Sequence, residues 1–319
     1  MISVKHLTKY YGDHLAVDDI SIEIAEGHVY GFLGPNGAGK STTMNIMTGC
    51  LSATAGTVLI DGHDIFEEPN AAKRCIGYLP EHPPLYMNES PLEYLKFVGE
   101  AKGLRGEQLN TQIAQVIEKT GIGDVKHRRI ATLSKGYKQR VGIAQALLGN
   151  PKVIILDEPT VGLDPIQIIE IRDLIKNLGK THTVIFSSHI LSEVQAICDR
   201  IVMIAKGKLV AFGEPEELQR QLFTSGEICI TTDAPIPEVK QALSQLDHVT
   251  GVEFVQQEAG FHVVHIQTDH KNIYGLSRSV SQLFFQNDFA VYELSLKKGS
   301  LEDIFLELST HKEKEDEEA

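Results

Sequence analysis

The chain has 319 residues, a formal net charge of −13, and 42% hydrophobic and 23% charged residues. This length predicts two or three domains, and the composition is typical of an ordinary soluble protein. The acidic balance repels nucleic acid and anionic lipid, so we expect no nucleic-acid partner and no direct lipid anchor.

The sequence also lacks the features of membrane-spanning, secreted and zinc-binding proteins. No apolar run reaches the roughly 18 residues that a membrane-spanning helix needs. The start carries Lys5 and Lys9 and lacks the apolar segment of a secretory signal, so we do not expect secretion. The cysteines have no C-x-x-C spacing, which argues against a zinc site or a disulfide framework and fits a reducing compartment. They are Cys50, Cys75, Cys198 and Cys229. We expect any membrane association to run through a protein partner.

The first 33 residues show short strand patterns, of which Ile20–Ile24 alternates most clearly between apolar and polar residues. The first turn contains Tyr10, Tyr11 and Gly12. Tyr11 in this turn has two interpretations, a ring that stacks on a purine base or an ordinary surface tyrosine beside a glycine turn.

A glycine-rich stretch, GPNGAGKST, follows an apolar run and precedes a helical pattern. In that setting G-x-x-x-x-G-K-[ST] indicates a loop that holds phosphate. Its glycines allow backbone N–H groups to point inward, and the helix N-terminus adds a partial positive charge. Lys40 is then placed to reach the β- and γ-phosphates, and Ser41 to ligate Mg²⁺. The predicted nucleotide-binding residues of the loop are Gly34, Pro35, Asn36, Gly37, Ala38, Gly39, Lys40, Ser41 and Thr42.

From about residue 82 to residue 150 the pattern changes to helix. Two helices are predicted at Pro91–Gly103 and Leu109–Thr120. A third follows Ser134, which is a natural N-cap. We interpret this region as a helical insertion in an α/β core.

The core resumes at Val153–Leu156, a continuous apolar run typical of a buried parallel strand. Asp157 and Glu158 follow at the carboxyl end of this strand, where such folds place ligand contacts. We expect Asp157 to hold Mg²⁺. Glu158 points elsewhere and is placed to polarise the attacking water.

A second unit begins near residue 221. Its strand–helix–strand–strand–helix–strand pattern over residues 221–310 predicts a ferredoxin-like α+β domain, and residues 311–319 predict an acidic solvated tail. A metal site made of His262, His265 and His270 is rejected because alternation puts His262 and His265 on opposite faces of a strand. The unit shows no catalytic constellation, so dimer support and regulation stay open as its role.

Taken together, these motifs resemble the nucleotide-binding subunit of an ATP-binding-cassette (ABC) transporter. GPNGAGKST matches the Walker A motif, VIILDEP matches Walker B, and LSKGYKQR resembles the signature stretch. Gly162–Asp164 matches the D-loop and Ser188–His189 the switch histidine. The ordered motifs cover about residues 1–215, and we take residues 1–220 as the ATPase domain. The unit at 221–310 resembles the C-terminal extension of the drug-, sodium- and motility-associated export branch.

The resemblance implies a P-loop NTPase fold and several residue roles. Ser134 and the N–H of Gly136 face ATP bound by the other protomer, so two ATPs are buried in a head-to-tail dimer. His189 senses the γ-phosphate, and Asp164 braces the dimer seam. Tyr11 stacks on adenine, and Val17 supplies an apolar contact to that ring.

One residue departs from the family pattern. Glu81 occupies the Q-loop position, where the family usually carries Gln. A carboxylate there still ligates Mg²⁺, more strongly because it is an anion, and it adds negative charge beside the γ-phosphate. The adjacent apolar segment Pro83–Met87 is either a dock for a permease helix or part of the core.

The resulting expectation is an ATPase subunit, using ATP and Mg²⁺, that powers an exporter as a dimer on separate permease subunits. It would lie peripherally on the cytoplasmic face of the inner membrane and pair with its own copy or a homologous ATPase. Two other classes are an ABC-type switch in translation or DNA maintenance and a simple nucleotide-binding regulator. A single P-loop and no sustained heptads disfavour the first, and the regulator would not need the LSKGYKQR stretch.

Overall fold

The structure is a computed structural model that describes residues 1–222, 226–256, 260–268 and 273–298. The chain divides into two compact units, Met1–Pro215 and a second that begins at Glu216. The boundary that we expected at residue 220 falls inside a helix, Pro215–Leu222. The tail predicted at 311–319 and His270 lie outside the described residues.

The first unit combines two sheets with helices. Its strands are β1 (Ile2–Tyr11), β2 (His14–Ile24), β3 (Val29–Leu33), β4 (Ala55–Ile60), β5 (His63–Asp64), β6 (Ile76–Leu79), β7 (Val153–Leu156), β8 (Thr183–Ser188), β9 (Arg200–Ala205) and β10 (Lys208–Gly213). Its helices are α1 (Lys40–Met47), α2 (Pro69–Arg74), α3 (Pro91–Ala101), α4 (Gly106–Thr120), α5 (Lys135–Leu147), α6 (Pro165–Gly179), α7 (Leu191–Ile197) and α8 (Pro215–Leu222), the last crossing the unit boundary.

A six-stranded sheet in the order β10-β9-β3-β8-β7-β6 forms the centre of this unit. Five neighbouring strands, β9, β3, β8, β7 and β6, run parallel to one another. The edge strand β10 pairs antiparallel with β9. Every residue of β3, β7 and β8 is buried, which explains their continuous apolar runs. The carboxyl ends of β3, β7 and β8 therefore meet at one edge of the sheet, where the predicted site residues follow.

A second, antiparallel sheet in the order β2-β1-β4-β5 shares one hydrophobic core with the first sheet and α1. Strand β1 is longer than the short segments predicted, because bulges interrupt its register with β2 and break its alternation. The region between β6 and β7 holds α3, α4 and α5, the helical insertion predicted from the sequence. Ser90 forms a capping box with Glu93 at the start of α3.

The second unit has the strands β11 (Gly226–Thr232), β12 (Val249–Gln256), β13 (His262–Thr268) and β14 (Glu293–Lys298), and the helices α9 (Ile236–Leu243) and α10 (Ile273–Gln286). Its antiparallel sheet has the order β12-β13-β11-β14. Element order and strand order are those of a ferredoxin-like sandwich. Within the described ranges, no helix combines the length and apolar character that crossing a membrane requires.

Candidate functional site

The phosphate-binding loop connects β3 to α1, as its strand–turn–helix setting predicts. Gly37 and Gly39 adopt left-handed backbone angles, with φ of 77° and 101°, which explains the glycines at these positions. Gly34 is required for a different reason. A Cβ at Gly34 would lie 2.2 Å from the carbonyl oxygen of Ile204, so this glycine allows β9 to approach the loop.

The loop forms one wall of a cavity of about 550 Å³ in the first unit. Residues from five other parts of the chain complete it. The lining residues are Tyr11, His14, Ala16, Asn36, Gly37, Ala38, Gly39, Lys40, Ser41, Thr42, Glu81, Glu158, Val161 and His189. His14, Ala16 and Val161 were not predicted, because nothing in their local sequence marks them. Gly34 and Pro35 do not line the cavity; their carbonyl oxygens accept hydrogen bonds from Lys40.

Lys40 is the buried cation at the base of this cavity. Its Nζ donates to the Gly34 carbonyl at 2.7 Å and lies 3.5 Å from Glu158 Oε1. Burial lowers the pKa of Lys40, and the charge of Glu158 partly opposes that shift. The ammonium group is therefore held among the backbone carbonyls of Gly34 and Pro35 and the Glu158 carboxylate.

Asp157 and Ser41 supply oxygen donors at the same place. Ser41 Oγ donates to Asp157 Oδ1 at 3.1 Å, and Ser187 Oγ donates to the same oxygen at 2.6 Å. A hydroxyl and a carboxylate are hard oxygen ligands of the kind that Mg²⁺ prefers, so the donor set fits this ion. Ser187 was not singled out from the sequence, and it orients the carboxylate from the end of β8.

Glu158 and His189 form a second polar pair. His189 Nδ1 lies 3.0 Å from Glu158 Oε2, and the Glu158 backbone N–H donates to Ser187 Oγ at 2.7 Å. Glu158 has φ of 46°, which is unusual for a residue with a side chain. Such strain is concentrated at functional sites, and the Glu158 side chain lines the loop cavity.

The resemblance predicts that Tyr11 and Val17 contact the adenine ring, and the structure places these two residues in different environments. Tyr11 is about half exposed at the mouth of the cavity, with Lys9 Nζ 5.3 Å from its ring centre. Val17 is fully buried in the core between the sheets and does not line the cavity. Its place on β2 turns the side chain inward, so the contact of Val17 with the adenine ring stays a prediction. Ala16 is the small apolar residue that lines the cavity there.

Ser134, Gly136 and Asp164 line a separate cavity of about 430 Å³ and not the loop cavity. Ser134 caps α5 by accepting from the Tyr137 N–H, and Asp164 caps α6 by accepting from the Gln167 N–H. The N-termini of both helices, which favour anions, open on this cavity, and Arg140 and Glu170 also line it. Within one chain the loop and the signature residues thus belong to two different cavities.

Glu81 follows β6 by two residues and lines the loop cavity. Its side chain is 43% exposed, so it reaches the cavity from the solvent side. Glu81 and Ser41 thus line the same cavity.

Sequence reasoning missed Glu193, which is 1% exposed on α7. Its Oε2 accepts hydrogen bonds from Thr160 Oγ1 at 2.7 Å and from Ser188 Oγ at 2.9 Å. Its Oε1 lies 3.4 Å from Arg172 Nη2 on α6. Glu193 therefore links the segment after Glu158 with the residue before His189. No local motif indicates this role, because its partners are distant in sequence.

Comparison with known proteins agrees with the geometry. A family model for ABC transporters matches residues 17–161. The uncharacterized ABC transporter ATP-binding proteins YxlF and YdbJ of Bacillus subtilis are 33% and 34% identical; the alignments cover 97% and 100% of this chain and 99% and 98% of the relatives. The lantibiotic transport ATP-binding protein SrtF of Streptococcus pyogenes is 40% identical, over 66% of this chain and 89% of its own length.

Solved structures extend the similarity to the fold. The dimeric structure of MJ0796, a bacterial ABC transporter cassette, has a TM-score of 0.61 and 27% identity, and covers 67% of this chain and 98% of its own. CbiO1 from Clostridium perfringens, part of the transporter complex CbiONQ, has a TM-score of 0.62 and 28% identity, over 77% of this chain and 98% of its own. These structures show the P-loop ATPase fold that the motifs predict.

Proposed function

The chain belongs to the ATP-binding subunits of ABC transporters and is an ATPase, and we propose that it powers an exporter as a head-to-tail dimer on separate permease subunits. The proposal is carried by the separation of two cavities within one chain. The loop cavity is lined by Lys40 and Glu158, and the signature cavity is lined by Ser134 and Gly136. Each cavity offers part of a phosphate site. A second copy, turned through a twofold rotation, would place the Ser134 cavity over the Lys40 cavity of its partner.

The residues divide the chemistry of hydrolysis between them. The loop N–H groups and Lys40 neutralise charge on the transferred phosphoryl group. Glu158 accepts the proton of the attacking water, and His189, paired with Glu158, donates to the phosphate side. Ser41, Asp157 and Glu81 would hold Mg²⁺, which when bound offsets charge between the β- and γ-phosphates.

An aromatic patch made of Tyr86 and Phe97 supports permease docking, and Met87 follows Tyr86 in the chain. All three side chains are about half exposed, and the Tyr86 ring lies 5.2 Å from Phe97 and 5.5 Å from the ring of Tyr94, which is buried. Leu85 of the same segment is buried, so only part of Pro83–Met87 belongs to the core. Clustered exposed aromatics favour a protein contact. The proposed occupant is a cytoplasmic helix of the permease, which would hold the subunit peripherally on the cytoplasmic face of the inner membrane.

The proposal that transport is outward is based on the names of two relatives. A probable multidrug ABC transporter ATP-binding protein, YbhF of Escherichia coli, is 36% identical over 78% of this chain and 42% of its own length. Its name refers to multidrug transport, and that of the SrtF relative refers to lantibiotic transport. We extend this direction to the present chain as part of the proposal.

Complementation between two inactive variants tests the shared site. Lys40→Ala removes the ammonium group from the loop cavity, and Ser134→Arg fills the signature cavity. Each homodimer therefore has a defect in both composite sites. A mixed dimer has one site with both defects and one intact site, and mixing should restore hydrolysis. Mixed variants that stay inactive, together with a rate per subunit that does not change on dilution, would contradict the dimer.

A further inference from the structure

A cluster of metal-ligating side chains lies in the second unit, remote in sequence from the nucleotide-binding motifs. Glu227 and Cys229 are on β11, and His265 is on β13. Cys229 and His265 are direct partners across the antiparallel pair, and Glu227 lies two residues before Cys229. Alternation therefore puts all three side chains on one face of the sheet.

This face is opposite the one that packs against the helices. The intervening residues Ile228, Ile230, Val264 and Ile266 are completely buried in the core with α9 and α10. Even so, the cluster is largely shielded from solvent. Cys229 is 7% exposed, and the side chains of His265 and Glu227 are 20% and 27% exposed.

The ligand atoms converge on one ring nitrogen. His265 Nδ1 lies 2.7 Å from Glu227 Oε1 and 3.6 Å from Cys229 Sγ, and all three lie within 4.8 Å of one another. In the plane of the ring, Nδ1 carries either one proton or one lone pair. It can therefore form a hydrogen bond with the carboxylate or with the sulfur, but not with both at once. A cation between them would accept a lone pair from each.

We propose that Glu227, Cys229 and His265 bind a divalent cation of the zinc class. Thiolate, imidazole and carboxylate are the ligands that zinc takes in proteins, and three of them leave a fourth position for water or another group. Metal–ligand lengths of about 2.3 Å to sulfur and 2.0 Å to nitrogen place the two ligand atoms roughly 3.5 Å apart in tetrahedral geometry. The 3.6 Å between Sγ and Nδ1 is close to this value.

Charge also favours a divalent ion here. A thiolate and a carboxylate carry two negative charges, which a 2+ ion held with a neutral imidazole would balance. Glu253, the register partner of His265 on β12, is exposed. The Nδ1–Oε1 separation must lengthen when the ion replaces the proton between these atoms.

The full chain with Co²⁺ as the probe tests the site without nucleotide. Metal-free protein is titrated with Co²⁺, and we expect sulfur-to-cobalt charge-transfer absorption with the visible bands of a four-coordinate ion. Equimolar Zn²⁺ should remove both. Cys229→Ser should abolish the charge-transfer band, and Glu227→Gln or His265→Asn should weaken affinity by at least about tenfold.

Cys50→Ser is the matched control, because Cys50 is an exposed thiol in the first unit, and it should leave the titration unchanged. Lack of a charge-transfer band in the wild-type chain overturns the site, whether or not the variants fold. An undiminished band in folded Cys229→Ser overturns it as well. This readout is independent of ATP hydrolysis, so it is unaffected by the outcome of the dimer experiment.

Discussion

Lys40 Nζ lies 3.5 Å from Glu158 Oε1, and both side chains are more than nine-tenths buried. The cation of the phosphate-binding loop is thus paired with the carboxylate that we assign as the base. A phosphate that enters the loop must take over Lys40 from Glu158 and from the Gly34 carbonyl. Nucleotide binding and release of the base are therefore coupled in this geometry, since both depend on the same ammonium group.

Replacing Glu158 with Gln should separate binding from hydrolysis. The neutral amide no longer accepts a proton, so the rate should fall by at least about 10²-fold. Nucleotide should bind more tightly, because the amide neither competes for Lys40 nor repels phosphate, and ATP should trap a dimer. Single-turnover hydrolysis and size-exclusion chromatography with ATP measure both effects. Turnover close to wild type would argue against Glu158 as the base.

Lys40→Ala should weaken nucleotide binding, because the phosphates lose the buried ammonium group. It also leaves Glu158 without its cation, which adds repulsion toward the phosphates. Titration with a fluorescent ATP analogue gives the dissociation constant. Lys176→Ala, at an exposed position on α6, is the control and should bind as wild type does. Equal affinities in the two variants would show that Lys40 does not contact nucleotide.

Glu193→Ala should lower both stability and turnover. Hydrogen bonds to charged groups each contribute about 1.5–3 kcal/mol, and the variant loses those from Thr160 and Ser188, so we expect the free energy of unfolding to fall by about 3 kcal/mol. Urea denaturation measures this change. Glu193→Gln keeps the volume and an acceptor oxygen, and should lose less stability.

The same substitutions distinguish positioning from folding. Thr160 and Ser188 adjoin the segments of Glu158 and His189, so loosening them should reduce kcat and leave KM nearly unchanged in variants that remain folded. Steady-state kinetics at a temperature well below unfolding gives both constants. If kcat in folded Glu193→Gln equals that of wild type, Glu193 supports only the fold.

Glu81→Gln should change the Mg²⁺ dependence of hydrolysis. The amide is a weaker ligand than the carboxylate, so half-maximal activity should need more Mg²⁺. At saturating Mg²⁺ the rate should rise, because one negative charge beside the γ-phosphate is removed. Rates measured across a Mg²⁺ titration test both parts. Unchanged Mg²⁺ dependence and unchanged turnover together would exclude Glu81 from the site.

Phe97→Glu should weaken docking on the permease, since a carboxylate in the aromatic patch would have to lose its hydration in the interface. Co-purification from detergent-solubilised membranes gives the bound fraction, and hydrolysis by the isolated subunit should be unchanged. Phe285→Glu is a matched control, because Phe285 is 87% exposed and lies in the second unit. Equal recovery of the permease with both variants would remove the aromatic patch from the interface.

Local sequence patterns determined the position of the loop, the buried strands and the carboxylates that follow β7. These features depend on neighbouring residues: glycines that permit the turn, continuous apolar runs, and a cap at Ser134. For the same reason the sequence predicted the helical insertion and the element order of the second unit. It also predicted the opposite faces of His262 and His265, which the burial of β13 shows.

Tertiary structure alone decided the features that depend on distant residues. Val17 turns into the core through its place on β2, and Gly34 is needed because a carbonyl of β9 approaches it. Glu193 meets Thr160 from 33 positions away, and His265 meets Cys229 from 36. Such contacts follow from strand register and helix packing, which bring side chains together without leaving any periodic or spaced signal in the chain.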